Sequence, residues 1–207
     1  MPLAGPRGRL ALDALTAVVD DEEARRRGYE EALSELGAPR SLAQRALLAE
    51  ALSRGAPRAE ILKEVLAEFG VRAGEGDLLR AVERFCVVRA SRARLAEDLS
   101  FLPRSGVFSV AVFIWEEPGC ARALSSALGI RELFSEVAYV PPRGDWLRLL
   151  SLLRVDVFAS GSLERVAAAS ASGLKSVWIS RGLNLESPLP RAESIRDLLS
   201  MLSRGIV

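Results

Sequence analysis

The chain has 207 residues, 28 basic and 27 acidic side chains, a formal charge of +1 and no histidine. Near-neutral charge predicts no broad cationic surface for nucleic acid or an anionic membrane. The lack of histidine excludes Ser-His-Asp and Cys-His relays, an imidazole base and His-ligated zinc. Any catalysis therefore depends on carboxylates, hydroxyls, lysine, arginine or a thiol.

The cysteines and the charged residues indicate the cellular compartment and the temperature to which the protein is suited. Cys86 and Cys120 have neither CxxC nor metal-binding spacing, which predicts a reduced pair of small buried residues. We find no secretory signal and no apolar run of about 18 residues, so we expect a cytoplasmic protein. Arginine greatly exceeds lysine and side-chain amides are scarce. These features fit a heat-adapted protein, although a GC-rich genome also favours arginine.

The first half of the chain passes from one short strand to a helical segment. The apolar run near Leu10–Leu12 predicts a buried strand. Apolar residues three and four positions apart then predict four helices, and glycines end the first three. The predicted helices span 22–36, 41–53, 57–69 and 77–98.

After Pro103 the pattern becomes an alternation of apolar strands and helices of about ten residues. The predicted strands span 107–115, 136–140, 155–159 and 175–180. The predicted helices span 118–128, 144–153, 163–172 and 191–202. This alternation predicts an α/β fold with a Rossmann-like parallel sheet. We assign 1–20 and 100–207 to this core, and 21–99 to a helical insert after the first strand.

Four stretches resemble the haloacid dehalogenase-like hydrolase superfamily with its helical cap. Residues 11–20 resemble the opening strand and nucleophile loop, and residues 22–37 resemble the first cap helix. Residues 127–137 are similar to the turn after the second core helix, and residues 157–182 to the acidic-loop strand with its following helix and strand. The resemblance implies a Rossmann-like core, a cap and a hydrolase active site.

The catalytic motifs of that superfamily are degenerate in this chain. Asp13 matches the nucleophile, but Leu15 replaces the acid/base Asp that protonates the leaving group. Trp115 and Glu116 follow the strand that should end in Ser or Thr, and Arg143 is the nearest substitute for the family's lysine.

The loop that holds magnesium in the family has also changed. Gly161 occupies the first acidic position and Arg165 lies near the second. A hard cation needs oxygen ligands, so magnesium is doubtful and we expect no cofactor or metal. The sequence thus predicts an inactive protein, a pseudoenzyme with a cap domain.

Two alternatives remain open at this stage. The haloacid dehalogenase branch uses its Asp without magnesium, and the stretch Ser160-Gly161-Ser162 can be aligned without a gap with the Ser-Ser-Asn loop of that branch. A diverged hydrolase of dehalogenase or phosphatase type would then use Asp13 as its nucleophile. Alternatively, Asp13 only binds backbone amides where a strand enters a loop.

The remaining candidate site is a ligand-binding loop. It has a helix N-terminus that can accept an anion, and two tryptophans lie near the sheet edge where α/β folds bind ligands. We expect a ligand-binding, regulatory or interaction role, with a small anionic ligand or a protein partner, no nucleic acid and no membrane; a homodimer is left open. The candidate ligand-binding residues are Thr16, Trp115, Arg143, Ser160, Gly161 and Ser162.

Overall fold

The computed structural model describes residues 8–183 and 185–207. Its main sheet has six parallel strands in the order β5-β4-β1-β6-β7-β8. These strands are β1 (Arg9–Asp13), β4 (Phe108–Ile114), β5 (Glu136–Val140), β6 (Val157–Ser160), β7 (Lys175–Ile179) and β8 (Arg191–Ala192). The predicted α/β class and parallel sheet are confirmed.

Helices cover both faces of this sheet because its central strands are apolar on both sides. Along β1, Leu10 and Leu12 join one apolar cluster while Ala11 joins the other, which is the two-residue period of a strand. The covering helices are α5 (Pro118–Ala127), α6 (Ile130–Leu133), α7 (Trp146–Leu152), α8 (Leu163–Ala171) and α9 (Ile195–Ser203).

Four α-helices lie between β1 and β4 in the chain, and we call them the helical insert. They are α1 (Glu22–Glu35), α2 (Ala43–Leu52), α3 (Arg58–Glu68) and α4 (Glu75–Arg92). Gly37, Gly55 and Gly70 follow the first three helices with φ of +68°, +85° and +70°, as the sequence predicts. The insert has an apolar cluster of its own.

Two short strands connect the insert to the sheet. β2 (Val19–Asp20) precedes the insert and pairs antiparallel with β3 (Arg94–Leu95), which follows it. The helix predicted to end at Asp98 therefore ends at Arg92, because the chain must extend to form this pair. One turn of π-helix (Ala14–Val18) joins β1 to β2, and a 3₁₀ segment (Glu97–Phe101) follows β3.

The last helix also begins later than predicted. The sequence pattern predicts that this helix starts at Arg191, but Arg191 and Ala192 form the edge strand β8 beside β7. The backbone N–H of Ser180 donates to the carbonyl of Ala192 over 2.9 Å, and this bond satisfies groups that a helix would leave unpaired. The helix begins at Ile195, after Ser194 caps it.

The prediction of reduced cysteines is wrong. Cys86 of α4 and Cys120 of α5 form a disulfide across a sequence separation of 34 residues, with their Cα atoms 4.6 Å apart. Sequence spacing could not show this pairing, because the two residues meet only when α4 packs on α5. Within the described residues, no helix is long and apolar enough to cross a membrane.

Candidate functional site

Asp13 lies at the carboxyl end of β1, the sheet edge at which α/β folds bind ligands. Its side chain is fully buried, and both carboxylate oxygens are occupied. Oδ2 accepts hydrogen bonds from Thr16 Oγ1, Ser160 Oγ and Arg165 Nη1 at 2.7–2.8 Å. Oδ1 accepts from the backbone N–H of Leu15 at 3.2 Å. The carboxylate is thus satisfied by the protein itself.

Arg165 forms the ion pair that neutralises this carboxylate. It projects from the first turn of α8, and its side chain is 17% exposed while that of Asp13 is not exposed at all. Its guanidinium also lies 5.4 Å from the ring centroid of Trp115, a cation–π distance. The arginine is therefore held between Asp13 and an aromatic wall.

The loop between β6 and α8 packs directly on the turn after Asp13. The backbone N–H of Gly161 donates to Thr16 Oγ1 at 3.0 Å, and that of Ser162 donates to Ser160 Oγ at 3.0 Å. Ser162 Oγ in turn caps α8. The structure therefore brings together Asp13 and four of the residues named as ligand-binding.

Gly161 is required by this packing. A Cβ built on Gly161 would lie 2.3 Å from the backbone carbonyl oxygen of Thr16, closer than real Cβ atoms come. The first acidic position of the family's loop thus cannot take a side chain here unless the backbone moves.

The residues at this position do not fit a magnesium ion. A divalent cation needs several oxygen ligands, and here the guanidinium of Arg165 takes the Asp13 oxygen while Gly161 offers no side chain.

Trp115 and Arg143, the other two predicted site residues, lie near the insert. Trp115 has φ of +58°, its indole N–H donates to the Gly144 carbonyl at 2.9 Å, and Gly55 of the insert packs against its ring. Arg143 is exposed and pairs with Glu60 of α3, so it does not substitute for a lysine beside Asp13. Of the two, Trp115 lines the cleft described below.

A second buried carboxylate, Glu116, lies just beyond the end of β4. It is fully buried and binds the guanidinium groups of Arg58 from α3 and Arg89 from α4. Arg89 also donates to Asp21 at 2.6 Å, and Arg58 also pairs with Glu117. This cluster joins the insert to the core through ion pairs.

The charged states of this cluster support one another. Burial alone raises the pKa of Glu116, but attraction to Arg58 and Arg89 outweighs it and keeps that pKa below its ordinary value. Burial alone lowers the pKa of each arginine, but the nearby carboxylates reverse the effect and raise it. All three side chains therefore remain charged in the folded protein.

Glu116, Glu117 and Cys120 place potential metal-ligating atoms within 4.8 Å of one another. Their chemistry does not fit a cation, because Glu116 is bound by two arginines and the sulfur of Cys120 is in a disulfide. The group belongs to the ion-pair cluster.

A cleft of about 310 Å³ separates the insert from the sheet edge. Its apolar wall includes Leu15, Trp115 and Trp146, and its polar wall includes Thr16 and Ser162. Charged side chains from both sides also line it: Asp21, Arg25, Glu50, Arg54, Arg58, Arg89, Glu164 and Arg165. The cleft can hold a small molecule beside the Asp13–Arg165 pair.

The sequence interpretation missed the role of Arg58, Arg89 and Glu116. Two signals could have indicated it. Arg89 interrupts the apolar face of α4 formed by Phe85, Cys86 and Ala90, and Glu116 follows a strand whose residues are all apolar except Ser109. A charged residue in either place needs a buried partner.

The hydrogen bonds around Asp13 limit what its carboxylate can do chemically. A nucleophilic carboxylate needs an oxygen free to attack, and a leaving group needs a proton donor. Here Oδ2 carries three hydrogen bonds, and Leu15 occupies the position of the acid. Thr16 and Arg165, which both bind Asp13, line the cleft, so the carboxylate lies just behind the cleft wall.

Comparisons with known proteins agree with this architecture. No family model and no curated protein matches the sequence. Among solved structures, a predicted phosphoglycolate phosphatase from Haemophilus somnus is 16% identical with a TM-score of 0.70, over 94% of this chain and 97% of that one.

Two further structures have similar values. A haloacid dehalogenase-like family hydrolase from Xanthomonas campestris is 14% identical with a TM-score of 0.68, over 98% of this chain and 93% of that one. The L-2-haloacid dehalogenase from Xanthobacter autotrophicus is 15% identical with a TM-score of 0.63, over 98% and 100%. The chain therefore has the haloacid dehalogenase-like fold, as its four sequence stretches suggest.

Proposed function

We propose that this chain is a non-catalytic protein of the haloacid dehalogenase-like fold that binds a ligand or partner and does not hydrolyse it. The observation that carries this proposal is the ion pair of Asp13 with Arg165, 2.7 Å long and reinforced by Thr16 and Ser160. In this proposal residues 21–99 form a cap over a core of residues 1–20 and 100–207. The cap and core enclose the cleft, and no magnesium takes part.

The proposed ligand is a small anion. Arg58, Arg89 and Arg165 are already neutralised by buried carboxylates. Arg25 and Arg54 also line the cleft, and their ion-pair distances are longer, from 3.4 to 3.6 Å. These two side chains can turn toward a bound anion at little cost.

The proposal also includes a cytoplasmic, heat-adapted protein without nucleic acid or membrane partners. Disulfides are unusual in cytoplasmic proteins except in those of hyperthermophiles. The Cys86–Cys120 disulfide therefore fits a cytoplasmic location only if the protein is also heat-adapted. A protein partner or a second copy of the chain is the other occupant that the proposal allows.

A diverged hydrolase acting through Asp13 is the second candidate. It is favoured by one observation: Asp13 is within hydrogen-bond distance of Ser160 and Thr16, at 2.8 Å, beside an accessible cleft. The hydrolase would require Arg165 to leave Oδ2 when substrate enters.

Turnover assays separate the two candidates. Wild-type protein and Asp13→Asn are incubated with a generic aryl phosphate over a range of magnesium concentrations, and with a 2-haloacid without metal. We expect no release of phenol, phosphate or halide above the protein-free rate for either protein. Turnover by the wild type that Asp13→Asn abolishes would establish the hydrolase and refute the proposal.

Isothermal titration calorimetry with inorganic phosphate tests whether the cleft binds an anion. Arg54→Gln should weaken phosphate binding by about tenfold, the effect of losing one charge-assisted contact. Arg148→Gln is the matched control, because Arg148 is exposed on α7 and is not a cleft residue. Equal binding by both variants would exclude this cleft as the anion site.

A further inference from the structure

The disulfide gives the helical insert a third covalent attachment to the core. The other two are the chain connections that pair as β2 and β3. Cys86 lies six residues before the end of α4 at Arg92, which places it about 9 Å along the helix from that connection. Two adjacent connections form a hinge, whereas a third attachment away from them prevents rotation about that hinge.

The non-covalent contacts between insert and core combine ion pairs with apolar packing next to the β2–β3 pair, where Ala24 of α1 and Ala90 of α4 join the apolar cluster of the core. The insert's buried apolar cluster includes one residue of the core among those described, and that residue is Cys120. The other buried contacts near it are the pairs of Arg58 and Arg89 with Glu116. Both partners of a buried ion pair regain water when the interface opens, so these pairs by themselves add little net resistance to opening. The disulfide is the covalent restraint on the insert away from its hinge.

We infer that the Cys86–Cys120 disulfide is a redox-controlled lock that holds the insert closed over the cleft. Reduction frees the insert to turn about the β2–β3 pair and to uncover Trp115 and Arg165. This inference goes beyond the proposed function, because it concerns access to the cleft whether the occupant is bound or hydrolysed.

We take a dithiol as the reductant that opens the lock. Its thiolate attacks the sulfur of Cys86, which is 7% exposed while Cys120 is fully buried. The disulfide bond breaks, Cys120 leaves as a thiolate and takes a proton, and Cys86 is held in a mixed disulfide. The second thiol of the dithiol then attacks that mixed disulfide, Cys86 is released as a thiol, and the dithiol becomes a cyclic disulfide. Two electrons and two protons pass from the dithiol to the cysteines.

Two backbone amides report directly on closure. The N–H of Arg143 in the core donates to the Gly55 carbonyl of the insert at 3.1 Å. The N–H of Arg58 in the insert donates to the Glu117 carboxylate of the core at 2.7 Å. Both bonds break when the insert turns away, whereas amides in the middle of β4 are unaffected.

Hydrogen exchange followed by mass spectrometry tests the lock on the full chain. The oxidised wild type, the wild type in dithiothreitol and Cys86→Ala/Cys120→Ala are compared. We expect peptides that contain Arg58 or Arg143 to exchange about tenfold faster or more without the disulfide, while β4 peptides do not change. If the double variant does not fold, the reduced wild type carries the comparison.

Two outcomes would overturn the lock. Unchanged exchange at Arg58 and Arg143 would show that the insert stays closed without the disulfide. A uniform increase over the whole chain would show a crosslink that only adds global stability. Thiol titration of the unfolded, unreduced protein should find no free thiol, and two free thiols after oxidation would also refute the lock.

Discussion

Two buried carboxylates at the same edge of the sheet are neutralised by arginines in different ways. Asp13 pairs with Arg165, and both residues belong to core elements. Glu116 pairs with Arg58 and Arg89, and both arginines come from the helical insert. The first pair therefore occupies the carboxylate at the end of β1 within the core, whereas the second holds two parts of the chain together. The two carboxylates are both paired with arginine, but the structural consequence differs. It depends on whether the arginine belongs to the core or to the helical insert.

The two ion pairs should differ most in how much unfolding free energy is lost when the carboxylate is replaced by an amide, and the larger loss is expected at Glu116. Glu116→Gln leaves two buried arginines uncompensated, so we expect it to lower the free energy of unfolding by about 3–5 kcal/mol. Urea denaturation measures this, with Glu164→Gln as the control because Glu164 is exposed and only loosely paired. A loss below about 1 kcal/mol would show that the cluster is not buried in solution.

The pH dependence of Glu116→Gln has a definite sign. The folded protein lowers the pKa of Glu116 despite its burial, because Arg58 and Arg89 attract the carboxylate. This contribution is therefore complete above the ordinary glutamate pKa of about 4.3 and is lost as the pH falls through the folded pKa. The stability gap between wild type and variant should shrink in acid, and a gap that widens would contradict the assignment.

Contact between insert and core should be sensitive to one methyl group at Gly55. A Cβ there would come within 2.6 Å of the Trp115 ring, and the φ of +85° adds backbone strain. We expect Gly55→Ala to cost about 2–4 kcal/mol in thermal or urea unfolding. Gly37→Ala is the control, because Gly37 has φ of +68° and nothing within 4 Å, and should cost about 1 kcal/mol. Equal losses would mean that the insert does not rest on Trp115.

The smallest effect is expected at Asp13. Asp13→Asn leaves Arg165 unpaired, but this arginine is 17% exposed and can turn toward water in the cleft. We expect a loss of about 1–2 kcal/mol of unfolding free energy. A gain in stability would indicate a carboxylate kept unsatisfied for function, as in active sites that trade stability for activity.

Much of the fold could be predicted because apolar periodicity reports local structure. The strands from Phe108 to Ile114 and from Glu136 to Val140 lie where the pattern places them, and so do the glycine-ended helices. The strand at Arg191 could not be predicted, because a two-residue edge strand depends on its neighbour β7 and has no pattern of its own.

Only the site residues at the ends of strands could be predicted from the sequence. Asp13 and Ser160 end adjacent strands, so their proximity follows from the parallel sheet. Glu116 is separated from Arg58 by 58 residues and from Arg89 by 27, and the disulfide spans 34. Such contacts depend on how the insert packs on the core, which local patterns do not encode.

Carboxyl labelling with a carbodiimide and an amine, read by mass spectrometry, tests most directly whether arginines occupy both carboxylates. We expect Asp13 and Glu116 in the native oxidised protein to be labelled at least about tenfold more slowly than exposed Glu164. We also expect Arg165→Ala to accelerate labelling at Asp13 and to leave labelling at Glu116 unchanged. Labelling of Asp13 in the wild type as fast as that of Glu164 would show that Asp13 is a free carboxylate facing the cleft and that Arg165 does not occupy it.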